Sequence, residues 1–216
     1  MSYTLVIANK AWSSWSLRPW LMMKVAGIPF EEVYLPALRR PDTRERFLAH
    51  SPAGKVPVLK DDGAVIWDSL AILEYLHERY PEAGVWPADP LARALARSAS
   101  AEMHSGFPDM RRVLSMDLQR PRTPVEMDAG TARDVARVQD LWREARGRFG
   151  AGGPFLFGRF SAADAYYAPV VTRFDTYAVR VDGTAQAYMD AVLALPAMQQ
   201  WTAAARRERP GAPDAA

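Results

Sequence analysis

Three serines lie close together near the start of the chain, in the segment Ala-Trp-Ser-Ser-Trp-Ser-Leu-Arg of residues 11–18. An apolar, β-rich run precedes this segment and a helical pattern follows it, so Ser13, Ser14 and Ser16 are predicted at a helix N-terminus. A serine there either caps the helix or presents its hydroxyl at the positive end of the helix dipole. A seryl hydroxyl is not a base at neutral pH, but it can donate a hydrogen bond to an anion such as a thiolate.

A second informative segment surrounds a proline in residues 51–59, Ser-Pro-Ala-Gly-Lys-Val-Pro-Val-Leu. Ser-Pro-Ala-Gly is typical of a turn, and the apolar residues after it predict a strand that begins near the Val56–Pro57 bond. Proline lacks an N–H and sits poorly within a strand, so Pro57 indicates a special backbone shape such as a cis peptide bond. The alternative is that Pro57 merely begins an ordinary strand.

The pair Asp68-Ser69 follows this strand and precedes apolar residues at helical spacing, Leu70, Leu73 and Leu76. The simpler interpretation is that Asp68 only caps the helix. Backbone polar groups beside an unusual proline bond, opposite the N–H groups of a helix start, would also form a site for a small peptide-like anion. Since both segments occur in this order and spacing, the sequence favours the binding site.

The elements that must position these residues follow from the apolar patterns. Strands are predicted at residues 3–8, 30–35, 56–60 and 64–67, and helices at residues 13–25, 44–50 and 69–80. Gly27 ends the first helix, and Asp61-Asp62-Gly63 forms the hairpin turn between the last two strands. A βαβ start implies a right-handed crossover and a parallel strand pair. The order βαβαββα predicts a thioredoxin-like domain over residues 1–80.

The remainder of the chain shows almost no strand signal. Residues 81–90 are rich in proline and predict a linker, and residues 91–216 predict an all-helical domain. Its helices are expected at residues 91–116, 124–149, 162–177, 185–195 and 197–208, with a frayed tail at residues 209–216. Ser161 and Asp164 form a predicted capping box, and Phe160 is placed to pack on Ala165 as a hydrophobic staple.

Composition excludes several kinds of chemistry. The 216 residues include no cysteine, so a disulfide framework, a thiolate metal site and a cysteine nucleophile are impossible. The histidines His50, His77 and His104 lack the spacing of metal ligands, and no metal is expected. The net charge of +2 and the short apolar runs predict neither a nucleic-acid nor a membrane partner. No secretory signal is recognised, which predicts a cytoplasmic protein.

The polar segments together resemble those of the soluble, cytosolic glutathione transferases. Lys-Val-Pro-Val-Leu at residues 55–59 is similar to the family's cis-proline strand, and Asp68-Ser69 to the polar pair before its third helix. Ser-Ser-Trp-Ser-Leu-Arg at residues 13–18 resembles the Ser-Ser-Cys-Ser-x-Arg motif of the zeta (maleylacetoacetate isomerase-like) class. The resemblance implies a bacterial, serine-type member closest in motif to that class. Trp15 stands where the zeta class has its cysteine, which counts against isomerase activity.

The resemblance implies that glutathione is the cosubstrate. Its thiolate would be stabilised by Ser13, with Ser14 as a neighbouring catalytic candidate. Which of Ser13, Ser14 and Ser16 contacts the sulfur stays open, because a shift of one residue in the loop would exchange them. Lys55 would meet its glycine carboxylate, and the backbone at Val56 and Pro57 would pair with its cysteinyl part.

The pair Asp68 and Ser69 would receive the γ-glutamyl amine and carboxylate. A hydrophobic electrophile would occupy an acceptor pocket in the helical domain, and a homodimer active in detoxification is expected from the family. The candidate residues of that pocket are Trp15, His104, Phe107, Met110 and Arg111.

The predicted function is therefore a glutathione transferase, in which the thiolate attacks an electrophilic small molecule. Three alternatives remain: a zeta-like cis-trans isomerase that uses glutathione as a returning nucleophile, a glutathione-dependent peroxidase, and a non-catalytic binding module with the same fold. A reductase that relies on its own cysteine is excluded by composition.

Overall fold

The computed structural model describes residues 3–36, 38 and 40–208. The first part of the chain contains the predicted order of elements, β1 (Tyr3–Ala8), α1 (Ser14–Val25), β2 (Phe30–Leu35), α2 (Thr43–Leu48), β3 (Val58–Asp61), β4 (Ala64–Trp67) and α3 (Ser69–Arg79). The strands form one sheet in the order β2-β1-β3-β4. Strands β1 and β2 are parallel, whereas β1–β3 and β3–β4 are antiparallel. The predicted thioredoxin-like domain is confirmed.

Turn chemistry sets the ends of these elements. Gly27, which follows the C-cap residue of α1, has a φ of 67°, and the N–H of Ile28 donates to the carbonyl of Met23 at 2.9 Å, as in a Schellman ending. In the β3–β4 hairpin, Asp62 and Gly63 both have positive φ angles, of 43° and 85°. Two such residues are what a tight hairpin of right-handed twist requires.

The second part of the chain is helical among the described residues. Its helices are α4 (Pro90–Ser105), α5 (Pro108–Val113), α6 (Ala129–Phe149), α7 (Ala162–Thr176), α8 (Gly183–Leu193) and α9 (Pro196–Arg207), with a short 3-10 turn at Pro81–Ala83 in the predicted linker. The fold class of a thioredoxin-like domain followed by an all-helical domain is thus confirmed.

The prediction of a single helix over residues 91–116 is wrong. The segment is divided between α4 and α5, because Gly106 ends the first helix and Phe107 adopts a left-handed φ of 61°. Proline disfavours a helical conformation in the residue before it and is well tolerated as the first residue of a helix. Pro108 therefore separates the two helices by restarting the second.

Helix α7 is the centre of the helical part, and nearly all of its residues are buried. It packs against α1 of the first domain as well as against α4 and α8. The predicted capping box is present at its start, where the N–H of Ser161 donates to Oδ2 of Asp164 at 2.8 Å. Because α7 contacts α1, this buried helix connects the helical domain to the element that carries the serine motif.

The predicted tail at residues 209–216 lies outside the described residues, and the domain limits 1–80, 81–90 and 91–216 stay predictions. Within the described parts of the chain, no helix is long and apolar enough to cross a membrane. In the same residues, no group of three or more histidine, aspartate and glutamate side chains could hold a metal ion.

Candidate active site

A cavity of about 860 Å³ lies where the β1–α1 loop, the segment before β3 and the start of α3 meet α4. This volume is within the range of about 300–1,000 Å³ that is usual for small-molecule sites. The lining residues are Trp12, Ser13, Trp15, Leu38, Pro41, Thr43, Arg44, Phe47, Ala53, Gly54, Lys55, Val56, Pro57, Trp67, Asp68, Ser69 and His104. The six residues that the sequence predicts to bind glutathione therefore share one cavity.

Ser13 lines this cavity as the N-cap residue of α1. Its Oγ accepts the N–H of Ser16 at 3.3 Å and donates to Oγ of Ser16 at 2.7 Å. The Oγ of Ser16 in turn accepts the N–H of Ala8, at the end of β1, at 3.2 Å. Ser16 is completely buried, so Ser13 is the member of this hydroxyl pair that faces the cavity.

The segment before β3 forms a second wall. The Val56–Pro57 peptide bond is cis, as the sequence predicts, and both residues line the cavity. Lys55 is exposed beside them. Arg44 of α2 lines the same wall and forms no ion pair with another described residue. Two cations are therefore available at this end for a carboxylate of the ligand.

Asp68 and Ser69 form the third wall, at the start of α3. Asp68 has a φ of 75°, and its Oδ1 accepts the N–H of Leu70 at 2.8 Å, which caps the helix. Its Oδ2 lies 3.3 Å from Nε2 of His104. Because a carboxylate oxygen has more than one acceptor site, Asp68 can accept a further hydrogen bond from a ligand amine. The N–H of Ser69 lies in the first helical turn, where it has no partner within the helix.

Tyr166 of α7 completes a hydrogen-bonded series of four side chains at the start of α3, which also contains Ser69, His104 and Asp68. Its hydroxyl lies 3.0 Å from Oγ of Ser69 and 3.2 Å from Nδ1 of His104. A neutral imidazole fits all the contacts: Ser69 donates to Tyr166, Tyr166 donates to Nδ1, and the Nε2–H donates to Asp68. Burial lowers the pKa of His104, against the raising effect of Asp68 and with smaller lowering effects from Arg18 and Arg111. Asp68 and Ser69 are thus held in place by the helical domain.

This arrangement predicts how His104 titrates. Replacing Asp68 by asparagine should lower the pKa of His104 further, because the carboxylate that favours the imidazolium is removed while asparagine still caps α3. The pKa can be read from the imidazole NMR signals of the two proteins. The matched control is Asp190→Asn on α8, whose carboxylate bonds only to Gln186 among the described residues. An unchanged or higher His104 pKa in Asp68→Asn would contradict the pairing.

Two buried arginines, Arg18 and Arg173, form a positive cluster beside Trp15 together with the partly buried Arg111. The guanidinium of Arg18 lies 4.1 Å from the ring centre of Trp15 and 4.3 Å from that of Tyr166, and Arg111 lies 5.3 Å from Trp15. Burial lowers the pKa of Arg18 to about 10 and that of Arg173 to about 9, and the neighbouring arginines contribute. Among the described residues, none of the three forms an ion pair. All three remain charged at neutral pH and favour an anion nearby.

The other predicted site residues divide into two groups. Trp15 and His104 line the cavity, and their rings meet edge to face at 5.0 Å. Ser14 is the buried first residue of α1 and lies outside the lining. Phe107 and Met110 belong to the hydrophobic core. Arg111 is partly buried and also lies outside the lining. The assignment of all five candidates to an acceptor pocket, and the catalytic assignment of Ser14, stay predictions.

Several residues of the site were not predicted from the sequence. Tyr166 lies 97 positions from its partner Ser69, and no local pattern relates the two. Arg44 lies on a short helix that the sequence predicts, but no motif marks it as a lining residue. Arg18 belongs to the serine motif of residues 13–18, but its complete burial follows from the packing of α1 on α7.

Comparison with known proteins identifies the family. The family model described as "Glutathione S-transferase, N-terminal domain" matches residues 12–79, and "Glutathione S-transferase, C-terminal domain" matches residues 128–204. The chain is 32% identical to maleylacetoacetate isomerase of Rattus norvegicus over 192 residues, which cover 86% of this chain and 85% of the relative. The chain therefore belongs to the glutathione S-transferase family.

Two further similarities have different extents. The chain is 34% identical to a probable maleylacetoacetate isomerase of Caenorhabditis elegans, over 49% of this chain and 48% of that relative. The theta class glutathione S-transferase from Xanthomonas axonopodis pv. citri, solved with glutathione bound, is 26% identical with a TM-score of 0.66. That comparison covers 93% of this chain and 97% of the solved chain.

Proposed function

We propose that this protein is a glutathione transferase that binds glutathione in the cavity and uses its thiolate to attack an electrophilic small molecule. The observation that carries the proposal is the meeting of two helix N-termini in one cavity, with Ser13 at the start of α1 and Asp68-Ser69 at the start of α3. Helix N-termini favour anions. A thiolate and a carboxylate of one tripeptide match these two positions.

Each wall binds one part of glutathione in this proposal. Asp68 accepts the γ-glutamyl amine, and the N–H of Ser69 donates to the adjacent carboxylate. The backbone at Val56 pairs with the cysteinyl unit, and Lys55 binds the glycine carboxylate. The binding of glutathione by the Xanthomonas relative supports glutathione as the ligand of this cavity.

The hydroxyl pair of Ser13 and Ser16 supports a role for Ser13 as donor to the sulfur. When the Ser13 proton turns toward the cavity, Ser16 can donate its own proton to Oγ of Ser13 while it still accepts the N–H of Ala8. A hydroxyl that accepts hydrogen bonds becomes a better donor. The positive end of α1 and the charge of Arg18 further favour the thiolate over the thiol.

Once ionised, the sulfur attacks the electrophilic carbon. A sulfur–carbon bond forms, the bond from that carbon to its leaving group breaks, and the leaving group departs with the electron pair. The protein supplies the thiolate and its position, and no group of the protein changes covalently.

Calorimetric titration with glutathione tests the binding step. The unmodified protein should bind glutathione, and Asp68→Asn should weaken binding about 10- to 100-fold, because a hydrogen bond to a charged group is lost. The control Asp190→Asn should bind as the unmodified protein does, since this exposed carboxylate lies on α8. No detectable heat with the folded unmodified protein would contradict the enzyme proposal and favour the non-catalytic module.

A second candidate, glutathione-dependent cis-trans isomerisation, is supported by the rat relative named maleylacetoacetate isomerase. The arginines around Trp15 would suit a carboxylate-bearing substrate. In that reaction the thiolate adds to a conjugated double bond, the resulting single bond rotates, and the thiolate leaves unchanged. Turnover of maleylacetone without net loss of glutathione would favour the isomerase, and stoichiometric loss of glutathione with a halogenated aromatic compound would favour the transferase.

A further inference from the structure

The loop between β1 and α1 is held by residues in and just after α9. Lys10 and Ala11 precede the cavity residues Trp12 and Ser13, and their backbone groups face the helical domain. The N–H of Lys10 donates to Oε1 of Glu208 at 2.6 Å, and the N–H of Ala11 donates to Oε2 at 3.0 Å. One carboxylate therefore satisfies both N–H groups of this dipeptide.

The carbonyl groups of the same two residues are also bonded to the helical domain. The indole N–H of Trp201 on α9 donates to the carbonyl of Lys10 at 2.9 Å. The N–H of Leu118 donates to the carbonyl of Ala11 at 3.1 Å. All four backbone polar groups of Lys10 and Ala11 thus bond to residues of the helical domain rather than to the sheet.

Glu208 is itself fixed in position. Its carbonyl accepts a hydrogen bond from the side-chain amide of Gln119 at 2.6 Å, and its Oε1 accepts the hydroxyl of Tyr34 at 2.8 Å. Burial and the Glu208 carboxylate raise the pKa of Tyr34 above its usual range, which keeps the phenol protonated as a donor. Both carboxylate oxygens of Glu208, directly after α9, therefore accept hydrogen bonds.

The same contacts extend to the opposite wall of the cavity. The side chain of Asn9 donates to the hydroxyl of Tyr34 at 3.3 Å and accepts the N–H of Leu38, a lining residue, at 3.0 Å. The carbonyl of Asn9 accepts the N–H of Ser13 at 2.8 Å. A continuous series of hydrogen bonds thus joins Glu208 to the walls that contain Ser13 and Leu38.

We propose that Glu208 is a positioning residue that fixes the β1–α1 loop, and with it the direction of the Ser13 hydroxyl toward the glutathione sulfur. The carboxylate does not line the cavity and acts only through the loop. The chemical part of this inference rests on the proposed function, whereas the fixing of the loop does not.

The substitution Glu208→Gln tests the proposal with little change in shape. The amide keeps one acceptor oxygen but turns its NH₂ group toward an N–H or O–H donor, so that at least one contact becomes repulsive. In the protein without glutathione, amide hydrogen exchange at Lys10 and Ala11 should become about tenfold faster or more, because hydrogen bonds to a charged group are lost. The matched control is Glu144→Gln on α6, where the carboxylate bonds to Arg148 and to no other residue that the structure describes.

The chemical role requires a second readout. The apparent pKa of the bound glutathione thiol should rise by about one unit in Glu208→Gln and stay unchanged in Glu144→Gln. Unchanged exchange at Lys10 and Ala11 would overturn the inference, and faster exchange with an unchanged thiol pKa would overturn the positioning role. If the unmodified protein binds no glutathione, the proposed function fails. Amide hydrogen exchange at Lys10 and Ala11 in the free protein then decides by itself whether Glu208 fixes the loop.

Discussion

Replacing Ser13 by alanine is expected to slow conjugation at neutral pH by up to about 25-fold through thiol ionisation, since the α1 N-terminus and Arg18 remain to favour the thiolate. An ordinary thiol with a pKa of about 8.5 is only ~3% ionised at pH 7, whereas a pKa of about 6.5 gives roughly 75% thiolate. Loss of the Ser13 donor should return the apparent pKa of the bound thiol toward about 8.5. The pH dependence of kcat/KM and the thiolate absorbance of the complex both measure this change.

The expected effect depends on Ser13 as a donor, so its role as a helix cap must be separated. Ser13 accepts the N–H of Ser16, and alanine at an N-cap costs about 1 kcal/mol of stability. Ser13→Thr keeps a hydroxyl at the same position and should restore most of the activity. A thermal unfolding curve for each variant shows whether the alanine protein is folded at the assay temperature.

The matched control is Ser105→Ala at the end of α4, where the exposed hydroxyl bonds, within the described parts of the chain, only to the carbonyl of Ala101. An unchanged pH profile in Ser13→Ala would remove the thiolate-stabilising role from this residue. A shifted profile in Ser14→Ala with none in Ser13→Ala would transfer that role to Ser14, one of the alternatives that the sequence leaves open.

The features that could be predicted from the sequence are those with a local physical cause. A proline at the start of an apolar run indicated the cis bond at Pro57, and Asp-Asp-Gly indicated a turn that needs positive φ angles at Asp62 and Gly63. Ser161 and Asp164 indicated a helix start because each can bond the other's backbone across one turn. Signals of this kind lie within a few residues and do not depend on the rest of the fold.

The contacts that complete the site have no such local cause. Tyr166 is positioned against Ser69 and His104 by the packing of α7, and Glu208 meets the β1–α1 loop from 197 and 198 positions away. Tyrosine and glutamate at these positions look ordinary in the sequence, since their role depends on which surfaces the two domains bring together. The split between α4 and α5 does have a local cause in Gly106 and Pro108. The prediction of one helix over residues 91–116 gave more weight to the helical composition of the segment than to these two residues.

Replacing Asp164 by asparagine is expected to destabilise the folded protein by about 3 kcal/mol near pH 5. The Asp164 side chain is completely buried, and Oδ1 accepts the N–H of Leu156 at 3.0 Å. Its Oδ2 accepts the N–H and the hydroxyl of Ser161 at 2.8 and 3.0 Å. Asparagine has one acceptor oxygen, so its NH₂ group must face a buried donor that then lacks a partner. Urea denaturation measures the loss.

The same substitution should lower the free energy of unfolding by a smaller amount at higher pH. Burial raises the pKa of Asp164 from 3.8 to about 6, although hydrogen bonds from Leu156 and Ser161 oppose this rise. A carboxyl with a raised pKa in the folded state contributes stability below its unfolded pKa and loses it as pH rises through the folded pKa. The decline therefore falls between about pH 4 and pH 6. The difference between the unmodified and variant proteins should shrink by roughly 1.5 kcal/mol from about pH 5 to about pH 7.5.

Asp182→Asn provides a control with the opposite dependence on pH. Asp182 caps α8 by accepting the N–H of Ala185 at 2.8 Å, but it is only partly buried, and that hydrogen bond together with Arg143 lowers its pKa. Its contribution is present above the unfolded pKa and is lost as pH falls, so its substitution should matter less in acid. Equal destabilisation by Asp164→Asn at both pH values would show that burial does not disfavour the Asp164 carboxylate. The cost of the substitution would then come from the lost hydrogen bonds alone, and α7 would be held at its start by the geometry of the capping box without a titrating charge.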